Sequence, residues 1–309
     1  MHRLLASLVL LIARDAAAFP VSAAREEQTL VVPGFADFLA VDGDTVWATN
    51  KGRVERWSRR GLVATVPMSH PCGAMALGFG ALWVADCQEG TLVRIDPRTA
   101  RIVARVATGI ANPKGELNVV ASPESVWVAS DDAGRIAKVD PATNRVVATV
   151  AVDAGSYYLA FGFGSLWAVS SASRSLQKID PATNAVVKRI ALGRQPGFLA
   201  AGEDAVWVQE QGDGTVARVD AATGAVSGRV KVGRDLLYGD IDAAGGAVWL
   251  RTTADQTFVV IDPQSLRIVA RVGKPSGSGA LRYAGSGLWT TAHDLHTLTW
   301  WSTTPAERP

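Results

Sequence analysis

Gly164-Ser165-Leu166-Trp167, followed by Lys178-Ile179-Asp180-Pro181-Ala182-Thr183-Asn184, decides the fold, because it is one copy of a unit written seven times. A hydrophobic residue followed by Trp recurs at Trp47, Trp83, Trp127, Trp167, Trp207, Trp249 and Trp289, at spacings of 36 to 44 residues. A second marker trails the Trp by 13 residues, at Asp96, Asp140, Asp180, Asp220 and Asp262. Self-similarity at this period is the signature of a repeat architecture.

Within each unit the periodicity is that of strands. In the second unit, strand A is read at 74–77, B at 81–86, C at 91–96 and D at 102–106, with apolar and polar residues alternating. Four short strands in about 40 residues make one propeller blade. The Asp-Pro-x-Thr segment is a turn from C to D. Its Asp accepts from following amides, Pro presets φ, and Asn144, Asn184 or Gly224 tolerates left-handed backbone. The recurring Trp is read as packing between neighbouring sheets, with Trp57 and Trp301 as further core.

The last unit lacks its fourth strand. After Trp289 only a strand C at 297–301 remains before the polar tail. Thr29-Leu30-Val31-Val32-Pro33-Gly34 resembles the D strands at 189–193 and 229–233, so the mature N-terminus is expected to complete blade seven and close the ring. Closure removes a free sheet edge. The fold expected is all-β, a single seven-bladed propeller spanning residues 24–309 at about 41 residues per blade.

Of 309 residues, 48% are hydrophobic and 19% charged, and the formal net charge is +2. That composition excludes a disordered chain and gives no basic excess for nucleic acid. Arg3, the apolar run Leu4 to Ala13 and the small-residue site Val21-Ser22-Ala23 read as a signal peptide over residues 1–23. The run is too short to span a bilayer, which needs about 20 residues. No membrane insertion is expected, and the mature chain is expected to be periplasmic or secreted.

The unit at 164–187 resembles the secreted YVTN-type propeller repeat, of the superfamily that includes virginiamycin B lyase. The resemblance covers essentially the whole mature chain, and it implies an extracytoplasmic propeller with ligands at the top of the central channel. Its lyase branch implies a divalent metal and histidines in Pro-His-Gly turns before strand A. The corresponding turns here, His70-Pro71-Cys72-Gly73 and Asn112-Pro113-Lys114-Gly115, carry no His after Pro. Sugar-lactonase propellers would need a set of carboxylates and Asn around the channel, which is only partly present.

Variation at one end of a constant scaffold marks a binding site. The residues three and four after each Trp vary from blade to blade and are expected to ring the channel mouth. Asn50, Asp86, Asp131, Glu210, Gln211 and His293 are the candidate ligand contacts, with Arg251 just before that position in blade six. The ligand expected is a small molecule, peptide or glycan, with no cofactor required. The alternative is a metal-assisted lyase or hydrolase, in which His293, His70 and Glu210 are the catalytic candidates and a divalent cation the cofactor. Cys72 and Cys87, the only cysteines, read as a disulfide in an oxidising compartment, with a copper or zinc site using His70 as the alternative.

Two further patterns stand out. Strand C carries a basic column, Arg56, Arg94, Lys138, Lys178 and Arg218, read as a solvated row. Asp242 and Arg282 share one strand-A position in adjacent blades and are expected to pair across the channel wall.

Overall fold

The computed structural model describes residues 24–129, 132–236, 239–251 and 255–303. The signal segment at 1–23 therefore lies outside the described residues. Among these residues the strands form seven four-stranded antiparallel sheets, six of them meanders from strand A to strand D and the seventh completed by the N-terminal strand. Blade two runs Pro71–Gly78, Ala81–Asp86, Thr91–Asp96 and Arg101–Ala107, so strands A and D are longer than the alternation suggested. No helix among the described residues is long and apolar enough to cross a membrane.

The ring closes as expected. Arg25–Val31 pairs antiparallel with Thr297–Ser302, from Arg25 opposite Ser302 to Val31 opposite Thr297. It is the outer strand of blade seven, and the Val32 amide extends the pairing by donating to the His296 carbonyl. The closing strand starts earlier than the segment picked out by its likeness to other D strands. Pro33, with no amide to donate, ends it.

Each recurring Trp is almost fully buried and packs into the next blade. Trp47 shares a hydrophobic cluster with Val93 and Ile95, Trp167 with Val206 and Val219, and Trp249 with Leu281 and Leu288. A buried indole needs an acceptor, and the tight A-to-B turn supplies it. Trp83, Trp167, Trp207 and Trp249 donate to the carbonyl five residues earlier, at 2.8–3.1 Å. Trp127 uses the Ser122 hydroxyl and Trp47 the Asp42 carboxylate in the same place. Phe fills the volume but offers no donor, which accounts for the excess of Trp.

The Asp of each C-to-D turn accepts the amide two or three residues on, as at Asp96, Asp140 and Asp180, all at 2.8 Å. These amide bonds at Asp96 and Asp180, and at Asp140 first the Thr143 hydroxyl and then the amide, hold the turn carboxyls below their usual range. Asn144, Asn184 and Gly224 have φ of 55°, 57° and 65°, and Ala100 and Leu266 adopt the same left-handed backbone without side chains suited to it.

The basic column is not a solvated row. Arg94 lies over the Trp83 ring at 5.0 Å and donates to the Pro141 carbonyl of the next blade at 2.8 Å. Arg56, Lys138 and Lys178 repeat the arrangement, over Trp47, Trp127 and Trp167, onto Pro97, Pro181 and Ala221 carbonyls. Each cation covers its own Trp and clasps the following blade. Arg218 lies over Trp207 but donates to Ser227 in its own blade. The column faces inward because a cation is attracted to an aromatic face and to an otherwise unsatisfied carbonyl.

Candidate functional site at the channel mouth

The first strands of neighbouring blades pack against one another around the ring, so strand A lines the channel. Register against the Trp fixes which residues point into it. Ala40, Ala160, Ala200, Asp242 and Arg282 face the Trp of their own blade. In a strand the residue two earlier lies on the same face. That position holds Phe38, Tyr158, Phe198, Asp240 and Ala280 in these blades.

Phe38 of blade one meets Phe198 of blade five at 6.0 Å between ring centroids, and Phe198 meets Tyr158 of blade four at 4.3 Å. Blades one and five are not neighbours, so these rings meet across the channel and floor its mouth. Above them opens a cavity of about 620 Å³, also bordered by Phe35, Asp37, Glu116, Gln211, His293 and Asp294. A second lobe of about 610 Å³ shares Phe35, Asp37, Phe38 and Glu116 and extends past Asn50, Lys51, His70 and Lys114. Both are within the range of small-molecule sites.

Four carboxyls border the first lobe, those of Asp37, Glu116, Asp240 and Asp294, and the first three are shifted upward. Burial, with Glu116, Asp240 and Asp294 nearby, pushes the Asp37 carboxyl well above its usual range. Burial pushes Glu116 up to about 7, against a 2.9 Å bond from the Tyr158 hydroxyl. Burial also raises Asp240, although Arg282 opposes it. Like charges withdrawn from water favour the protonated form. The same carboxyls push the Tyr158 phenol up, after burial.

Arg282 pairs with Asp240 and not with Asp242, as strand register had suggested. Burial works against the guanidinium, but Asp240 and Asp242 together hold it protonated. Asp242 instead accepts the Tyr283 amide at 2.9 Å. The two-residue step matters: Asp240 lies at the mouth beside the Arg282 side chain, while Asp242 is committed to the strand boundary between blades six and seven.

The candidates singled out in the sequence separate into three groups. His293 and Gln211 border the first lobe, and Asn50 and His70 the second, so the two histidines are not brought into one constellation. His293 stacks on Phe35 at 3.9 Å and places Nδ1 2.9 Å from Asp294 Oδ1. Burial lowers its pKa below the ordinary value.

Asp86, Glu210 and Arg251 border neither lobe, and their polar atoms are engaged inside the fold. Glu210 accepts the Gly193 amide, the Thr215 hydroxyl and two nitrogens of Arg229 at 2.7–3.0 Å. Burial disfavours its charge, but those donors hold its carboxyl below the usual range. Asp86 accepts the amides of Gln88 and Glu89, both at 3.2 Å. Asn50 likewise accepts the Phe35 amide at 2.6 Å and donates to Glu55 at 2.8 Å. Buried Arg251 donates to the Thr257 and Gly277 carbonyls at 2.7 and 2.6 Å, and burial lowers its pKa to about 10. Asp131 lies outside the described residues.

The position three after the Trp thus helps tie down the loop entering strand A, and the lining of the mouth comes from strand A and the residues just before it, joined by Gln211, His293 and Asp294 from the turns after strand B. Asp37 was legible in principle. It stands where four other blades carry Gly73, Gly197, Gly239 and Gly279, at a position where an added Cβ would strike backbone in blades two, six and seven.

Cys72 and Cys87 form the disulfide, with Cα atoms 5.9 Å apart, joining the start of strand A to the end of strand B in blade two. His70 therefore has no free thiolate partner. Among the described residues no three His, Cys, Asp or Glu side chains are grouped to hold a metal ion. The carboxyls of the mouth come from separate blades and take part in no such group.

The sequence matches no described family and no curated protein. Solved structures do resemble it. Virginiamycin B lyase from Staphylococcus aureus superposes with a TM-score of 0.75 at 14% identity, over 90% of this chain and 99% of that one. A streptogramin B lyase gives 0.72 at 13%, over 91% and 97%. The WD40 domain of Neurospora crassa Pan2 gives 0.73 at 13%, over 93% and 96%. Identities this low speak for fold alone: the chain is a seven-bladed β-propeller whose architecture matches that of virginiamycin B lyase.

Proposed function

We propose that this chain is an extracytoplasmic recognition module that binds a small molecule, peptide or glycan at the mouth of its central channel without transforming it. The observation that carries the reading is the 620 Å³ lobe, walled by aromatic rings and reached by carboxyls from blades one, three and six. A largely apolar concavity with a few convergent polar groups is the usual form of a ligand site. The Cys72–Cys87 bridge supports an oxidising compartment, in keeping with export through a signal peptide at residues 1–23.

A metal-assisted lyase or hydrolase is the second reading, favoured by the likeness of fold to two lyases. His293 and the carboxyl of Asp294 beside it are the acid–base pair it would use. Metal analysis of the purified mature chain, combined with turnover assays on streptogramin-type lactones, separates the two. Recognition predicts no turnover in the presence or absence of added Mg²⁺. Turnover that requires stoichiometric divalent metal and is lost in His293→Ala contradicts it.

A further inference from the structure

We infer that the first lobe of the channel mouth binds an organic cation, a single ammonium or guanidinium group carried on an apolar body. The inference rests on the reading of the mouth as a recognition site and names the chemistry of its ligand.

The lobe is short of positive charge. Asp37, Glu116 and Asp240 all border it, and Arg282 is committed to Asp240 and to the Leu281 carbonyl. Arg251 donates to backbone carbonyls of blades six and seven. Lys51 and Lys114 border only the second lobe, on its exposed rim. His293 sits beside Asp294.

Asp37 is the decisive group. Its side chain is half-buried and faces both lobes, and its carboxylate accepts no hydrogen bond from any described residue, only its backbone being engaged. Burying a carboxylate without a partner is costly. A position that is glycine in four sister blades does not require that side chain for folding. A cation arriving from solvent supplies the missing partner.

The walls suit what such a cation would be attached to. Phe35, Phe38, Tyr158 and Phe198 present ring faces and edges around the carboxyls. Aromatic faces attract alkylated ammonium and guanidinium groups and bury an apolar stem. A bare metal ion would gain nothing from these rings.

Calorimetric titration of the mature chain at pH 8 tests the inference. The probes are phenethylammonium, its neutral isostere phenethyl alcohol, magnesium chloride, and the blocked tripeptide acetyl-Ala-Lys-Ala-amide. The expected result is one phenethylammonium per chain, bound at least about tenfold tighter than the alcohol, with Asp37→Asn and Glu116→Gln each weakening it about tenfold or more. Affinity should fall about tenfold between pH 8 and pH 6 as Glu116 takes up its proton, in a lobe also faced by Asp37, Asp240, Asp294, Tyr158, His293 and Arg282. Binding of the tripeptide with the same dependence on Asp37 supports the inference and assigns the cation to a lysine side chain. Equal binding of amine and alcohol, binding unchanged in both folded variants, or Asp37-dependent binding of magnesium alone overturns it. If the alcohol binds at the mouth and the amine does not, the cation is wrong while the recognition reading stands. Turnover that depends on His293 removes the recognition reading itself.

Discussion

Phe38 and Phe198, from blades one and five, meet at 6.0 Å with their ring planes inclined by 44°, and so close the channel of a seven-membered ring from nearly opposite sides. A propeller of this size leaves a central hole that side chains must fill or water will occupy. Truncating Phe198→Ala removes both this contact and the 4.3 Å contact with Tyr158. Because Phe198 is only partly buried, the expected loss of stability is about 1–3 kcal/mol, below the range for a full core phenylalanine. Urea denaturation measures it, and a change within about 0.5 kcal/mol would show that the floor does not support the ring.

The crowded carboxyls make stability depend on pH. Burial pushes the Glu116 carboxyl up to about 7 in the folded chain, against its ordinary value of 4.5 when unfolded. The folded state therefore holds a proton that the unfolded state releases, and stability falls as pH rises from about 4.5 to about 7. Glu116→Gln keeps an acceptor for the Tyr158 hydroxyl and removes the charge. It should stabilise the protein at pH 8 by about 1–3 kcal/mol and change little at pH 4. Thermal melts at the two pH values check this, and a variant less stable than the parent at pH 8 would argue against a strained carboxyl.

The clasps between blades predict a cost for Arg94→Met. The substitution keeps apolar cover over Trp83 but removes the donors to the Pro141 carbonyl and to Asn144 Oδ1, at 2.8 and 3.0 Å. About 1–3 kcal/mol should be lost. If the column were a solvated row, chemical denaturation would show no change beyond about 0.5 kcal/mol.

Reducing the Cys72–Cys87 bridge opens a loop of sequence separation 15. The chain-entropy estimate for such a loop is about 3 kcal/mol. Denaturation midpoints with and without a reductant measure the effect, which should vanish in a Cys72→Ala, Cys87→Ala double variant.

The fold was legible because the repeat is enforced by packing. Seven equivalent sheets need the same Trp at the same depth, and Trp83 and Trp167 show why an indole nitrogen is required as well as bulk. The closing strand and the disulfide followed from strand order within the blade. The site was much less legible. Variation after the Trp drew attention to Asn50, Asp86 and Glu210, but these residues vary because each ties down the loop entering strand A through a different set of amides and cations. Most of the mouth comes from strand A and the residues leading into it, whose irregular starts hid them, and only Gln211 and His293 of the residues after the Trp border the first lobe. Tyr158 and Asp240 emerge only once the residue facing each Trp is known. Glu116 lies in an approach to strand A that differs in length from its neighbours, so no repeat position announced it.

The central claim is that burial, with Asp240 nearby, pushes the Glu116 carboxyl of the mouth up to about 7 until a ligand compensates it. Carbon-13 NMR titration of the Glu116 side-chain carboxyl in the ligand-free mature chain, assigned with Glu116→Gln, measures this directly. The account predicts a midpoint at about 7, whereas a midpoint at the ordinary value near 4.5 would mean that the mouth is open to water and that its acids are surface charges.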